Sequence, residues 1–129
     1  MGSNIKLNDY IGREAFANCA SLPSVTLGAA TTIDYEAFHR CDSLTSVTLG
    51  TSVTNIGDYA FRDCARLTRV TFNGAYPNVT LPSRLYWDTP SVTSYVTPAH
   101  AASWMPHLDS GNLADGTAVW CGRPLRLAE

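Results

Sequence analysis

The stretch IDYEAFHRCDSLTSVTLG, Ile33 to Gly50, sets a histidine two residues before a cysteine and ends on an alternating Val-Thr-Leu. Alone, it reads either as a nucleophilic cysteine beside a base or as a turn leading into a strand. Two sister segments decide between them. IGREAFANCASLPSVTLG (Ile11 to Gly28) and IGDYAFRDCARLTRVTFN (Ile56 to Asn73) align with it without gaps. Ile11, Ile33 and Ile56 coincide, as do Phe16, Phe38 and Phe61, then Cys19, Cys41 and Cys64. Leu22, Leu44 and Leu67 follow, and Val25, Val47 and Val70 after them. A step of 22 residues and then 23, kept at so many positions, is the signature of a solenoid.

Each unit can be read physically. SVTL alternates, so Val25 and Leu27 face one way and Ser24 and Thr26 the other, which predicts a short strand with one buried face. The Ile-to-Phe segment is too short for an independent helix and reads as a turn or a single helical turn. No unit buries its own apolar side. Stacked units do, with strands pairing in parallel about 4.8 Å apart.

The expected organisation is a solenoid of stacked parallel strands over residues 1–98 with repeats at 11–32, 33–55 and 56–80, and a degenerate one at 81–98. Sliding 25 residues on from the third repeat sets Leu81 on Ile56, Tyr86 on Phe61, Val92 on Leu67 and Tyr95 on Val70. SVTSYVTP then becomes the last strand of the ladder, closed by Pro98. NIKL supplies a partial strand at 4–7, with Ile5 and Leu7 matching Val25 and Leu27, as if the array were cut from a longer one. Residues 99–129 lose the repeat and read as an irregular cap over an open solenoid end.

The pattern IGxxAFxxCxxLxxVTL resembles the BspA-like class of leucine-rich repeats, found in secreted and surface proteins of bacteria and some protozoa. The likeness covers roughly residues 5 to 97, and the tail also looks like the closing segment that often follows such arrays. What the resemblance implies is a parallel-stranded solenoid used for adhesion or protein recognition, at the cell surface or outside the cell. It implies no single ligand.

Composition narrows the field further. A formal net charge of -2 without a Lys/Arg cluster gives no reason to expect nucleic acid. No apolar run reaches the roughly 20 residues of a membrane span. The opening MGSN lacks a basic n-region and an apolar h-region, so it is no signal peptide, and it reads as a cloning remnant standing in place of native sequence.

The candidate sites follow from the repeat. Cys19, Cys41 and Cys64 share one position and so form a row of small buried residues, where a metal site needs converging ligands and a disulfide a suitable dihedral. His39 is matched by Ala17 and Arg62, so it reads as a variable exposed position and not as a base for Cys41. His100, His107, Asp109 and Cys121 supply catalytic residue types with no ordering motif. No catalytic, metal or cofactor site is expected, and no enzyme activity.

Two surfaces remain. Ser24, Thr26, Ser46, Thr48, Arg69 and Thr71 form two outward rows, suited to gripping a host or cell-surface protein, with Arg69 as an anchor among short hydroxyls. The same residues also simply favour strands and keep a sheet soluble. Trp87 and Trp104 form the alternative, an aromatic platform for a glycan, although core packing also accounts for them. A structural spacer displaying another domain is a third reading. Asn78-Val79-Thr80 is a glycosylation sequon.

Overall fold

The alternation in SVTL is realised as four-residue strands whose Val and Leu are buried and whose hydroxyls are not. The computed structural model describes residues 10–128, and the strand expected at residues 4–7 lies outside them. Among the described residues the strands are β1 (Tyr10–Ile11), β2 (Ser24–Leu27), β3 (Thr32–Ile33), β4 (Ser46–Leu49), β5 (Asn55–Ile56), β6 (Arg69–Phe72), β7 (Asn78–Val79), β8 (Thr93–Val96), β9 (Val119–Trp120) and β10 (Arg123–Leu127). Strands β2, β4, β6 and β8 pair in parallel and in register, with Val25, Val47, Val70 and Ser94 on one rung line. This is the expected solenoid of stacked parallel strands, about four turns long.

A second parallel sheet joins β1, β3, β5 and β7 and stacks Ile11, Ile33, Ile56 and Val79 inward. Two-residue strands are too short to show a period of two, so the sequence marks the Ile as buried but not as paired. Between the sheets lies one continuous core. The rungs approach closely where strands end: a Cβ on Gly50 would sit 2.4 Å from the Gly28 carbonyl oxygen, so only glycine fits there.

The Ile-to-Phe segments are neither helices nor loose loops. Glu14, Asn18, Glu36, Arg40, Tyr59, Asp63 and Asp88 adopt positive φ, in two matched rows. The alternation turns every second N–H along the stack. Glu14, Phe16 and Asn18 donate to the carbonyls of Tyr35, Ala37 and His39 at 2.9, 2.8 and 2.7 Å. Glu36, Phe38 and Arg40 repeat the pattern onto Asp58, Ala60 and Arg62. Left-handed conformations in non-glycine residues cost roughly 1–2 kcal/mol each, and at Glu14, Asn18, Glu36, Arg40 and Asp63 an inter-turn hydrogen bond offsets that cost. Phe16, Phe38 and Phe61 stack beneath these turns, with centroids 5.3 and 5.4 Å apart and planes 8° and 9° from parallel.

The fourth repeat departs from the expected alignment. Tyr86 does follow Phe61, at 6.2 Å. But Val79, not Leu81, pairs with Ile56, and Ser94, not Tyr95, pairs with Val70. A slip of one residue reverses every side chain in a strand. Here the inward set is Val92, Ser94 and Val96, and the buried Ser94 hydroxyl meets the Tyr86 hydroxyl at 2.6 Å. Tyr95 turns outward. Nor is β8 the last strand: β10 pairs with it in parallel (Leu125 to Ser94, Leu127 to Val96), and β9 folds back antiparallel on β10. Pro98 starts a 3-10 turn leading into the short helix α1 (Ala101–Trp104). Trp104 and Trp120, both fully buried and 4.9 Å apart, close the core against Phe72 and Tyr76.

Candidate functional site

The parallel register sets the outward residues in two straight rows. Ser24, Ser46, Arg69 and Thr93 form the first; Thr26, Thr48, Thr71 and Tyr95 form the second. At the C-terminal end the small hydroxyls give way to larger groups. The Arg69 guanidinium lies over the Tyr95 ring, 3.8 Å from its centroid. Around this pair is a groove of about 520 Å³ lined by Arg69, Thr71, Asn73, Tyr95 and Thr97, with Leu127 and Ala128 as its far wall. A planar cation on an aromatic face beside hydroxyls and an amide can pair with a carboxylate while offering apolar area and hydrogen bonds. All six outward residues named from the sequence lie on this face; Asn73, Tyr95 and Thr97 are its additions. The fixed 25-residue step sets Tyr95 on Val70, facing inward, whereas the spacing of Val92, Ser94 and Val96 holds the correct signal.

The cysteine row has a structural explanation. The Cys41 thiol donates to the Phe16 carbonyl at 3.2 Å and the Cys64 thiol to the Phe38 carbonyl at 3.1 Å. Thr89 takes the same place in the fourth repeat, its hydroxyl donating to the Phe61 carbonyl at 2.6 Å. The position therefore calls for a small side chain that donates to the preceding rung, which a hydroxyl satisfies as well as a thiol.

Burial pushes Cys41 and Cys64 up to about 12 each, and burial with the Asp109 charge pushes Cys121 higher still. The thiolate is the reactive form, so these three should resist a disulfide-exchange reagent at about pH 8 until the chain unfolds, while half-buried Cys19 reacts first. Stability should respond as well. The contribution of Cys41 and Cys64 is complete below their ordinary value of 9.0 and is lost as pH rises towards about 12, because the unfolded chain then releases protons that the folded one retains. A urea midpoint that falls above pH 9, less so in Cys41→Ser, checks the sign.

His39 is not the exposed, unengaged position expected. It is half-buried, with Nε2 3.1 Å from Asp63, beside Arg62, which reaches Glu36 at 3.1 Å. These charges lie on the turn edge, and the Cys41 thiol is already committed to Phe16. Of the tail residues, the fold brings Asp109 and Cys121 to one slot and engages the two histidines elsewhere. His100 meets the Thr97 hydroxyl at 3.1 Å, His107 stacks on Tyr76 at 3.7 Å, and Asp109 accepts from the Gly122 N–H at 2.8 Å. Among the described residues no group of three or more His, Cys, Asp or Glu is placed to hold a metal. No helix among them is long and apolar enough to cross a membrane.

Trp104 is fully buried and offers no face to a sugar, correcting its place in the aromatic platform; its ring is needed to close the core. Trp87 is 48% exposed. Asn78 is exposed at the edge of the second sheet, its amide donating to Asn55 at 3.3 Å.

The BspA type leucine rich repeat region, in six copies, matches residues 3–104. No curated protein and no solved structure gives a significant match.

Proposed function

The chain belongs to the BspA-type leucine-rich repeat family, and from that premise we propose that it is a recognition module which binds a protein partner through the outward strand face. The family is typically non-catalytic, and its repeat architecture serves recognition and adhesion generally. The observation that carries the finer reading is the Arg69–Tyr95 pair at the head of a groove continuous with two straight hydroxyl rows. Arg and Tyr are, with Trp, the residue types enriched at the hot spots of protein interfaces. Their neighbours on this face are short, so an extended segment can lie across successive rungs without steric conflict.

On this reading the partner presents a carboxylate to Arg69, and the parent protein stands at the cell surface or is secreted. One face of this size binds weakly alone, and several copies or longer arrays raise the avidity. The test is a screen of immobilised extracellular and cell-surface proteins, followed by affinity measurements on each hit with variant modules. Arg69→Glu should weaken binding at least about tenfold, and Thr26→Trp or Thr48→Trp should weaken it further along the rows. Hits that bind all three variants as tightly as the parent would refute the strand face as the site. A carbohydrate reading rests on Trp87 alone, and the backbone around that ring favours a different ligand.

A further inference from the structure

Along the positive-φ turns the alternate backbone N–H groups donate forward, each rung to the next: Phe61 to the Leu85 carbonyl at 3.2 Å and Asp63 to the Trp87 carbonyl at 2.8 Å. By the same alternation Tyr86 and Asp88 present their N–H groups to a fifth turn, and none of the described residues accepts from them. The cap fills only the inner half of that missing turn, where Trp120 covers the buried Tyr86 ring at 6.2 Å. The outer half is left as a slot of about 390 Å³ between the last turn and the cap, with Trp87 and Asp88 on one wall and Asp109 and Arg123 on the other.

We propose that this slot receives an extended peptide segment of another protein that places two carbonyls on the Tyr86 and Asp88 N–H groups and an arginine side chain over Trp87. Three features select that ligand. Donors two residues apart match the carbonyl spacing that every rung of this protein itself offers, so the peptide extends an existing ladder. The aromatic row Tyr35, Tyr59 and Trp87 carries an arginine at each earlier ring: Arg13 over Tyr35 at 4.7 Å, and Arg62 and Arg84 over Tyr59 at 5.0 and 5.5 Å. Among the described residues no arginine lies over Trp87, the last ring of the row. The slot also holds two carboxylates against one guanidinium, and that of Arg123 is engaged by the Thr89 and Gly122 carbonyls at 3.0 Å, which leaves the site suited to a cation. A second copy of this chain fits less well, because stacking its first turn would require the place that Trp120 occupies.

The slot lies apart from the strand face, so either assignment can fail without the other. The test is amide NMR of the whole chain titrated with acetyl-Gly-Ala-Arg-Ala-Gly-amide. The amides of Tyr86 and Asp88 and the Trp87 indole should shift together, with affinity at least tenfold greater than for the same peptide with Glu in place of Arg. Trp87→Ala should abolish the shifts. Asp88→Asn, whose side chain suits the left-handed backbone at that position, should weaken binding several-fold while leaving the remaining spectrum unchanged. No shift at Tyr86 and Asp88 at millimolar peptide would overturn the proposal. So would equal binding of the two peptides, or shifts produced by chitotriose or cellotriose and not by the arginine peptide.

Discussion

Phe38→Ala is expected to lower the free energy of unfolding by about 3–5 kcal/mol, the range for truncating a fully buried phenylalanine. Phe38 is the middle ring of a near-parallel stack, with Phe16 at 5.3 Å and Phe61 at 5.4 Å, and has no exposed surface. In a solenoid, stability is approximately a sum of repeat terms and nearest-neighbour interfaces, so a middle-rung residue serves two interfaces and an end-rung residue one. Phe16, half-buried at the N-terminal side of the stack, should therefore cost well under half as much when truncated. Urea unfolding of the two variants checks the ordering. A Phe38→Ala cost no larger than that of Phe16→Ala would mean that the rungs are not coupled through this stack.

Trp120→Ala should be comparably damaging, at about 3–5 kcal/mol, but with a different signature. The Trp120 ring contacts Phe72, Tyr76, Tyr86 and Trp104 at 5.6, 6.0, 6.2 and 4.9 Å, joining the last rungs to the cap. Its removal uncovers the end of the core and loosens β9, which alone borders β10 on the outer side. An open apolar solenoid end with unpaired strand edges is a template for association. The variant should therefore bind a hydrophobic dye and self-associate with rising concentration under conditions where Phe38→Ala remains monomeric. Trp87→Ala, at a ring 48% exposed, should cost only a fraction of this. Equal losses at Trp87 and Trp120 would contradict the division between a packed inner half and an open outer half of the last turn.

The sequence carries the repeat plainly because the same contact is made in each rung: Val over Val, Leu over Leu, Phe over Phe. It carries the outward rows equally well, since a strand's period of two fixes them once the inward Val is known. What it conceals falls into three kinds. The second sheet is concealed by length, since strands of two residues have no period. The left-handed turn residues are concealed by composition: Glu36, Arg40 and Tyr59 are not residue types that announce positive φ, and Glu36 and Arg40 are held there by hydrogen bonds to the next rung.

The third kind arises where the repeat decays. A fixed step of 25 residues suits Tyr86 and Val92 but fails at Val79 and Ser94, because two residues are gained between Val79 and Tyr86 and one is lost again before Ser94. That slip hid Tyr95, the aromatic partner of Arg69, from the candidate site. The strand β10 and the burial of Trp104 escape notice for a related reason. A cap meets the array once, so no second copy exists against which to read it.

We propose that recognition belongs to the outward strand face and not to the cysteine row or the turn edge. It is tested most directly by mapping amide chemical-shift changes on the labelled chain when a protein partner from the screen is added. The changes should centre on Arg69, Thr71 and Tyr95 and extend along Thr48 and Thr26. Changes confined to the turn edge around Glu36, His39 and Arg62, with the strand rows unmoved, would contradict it.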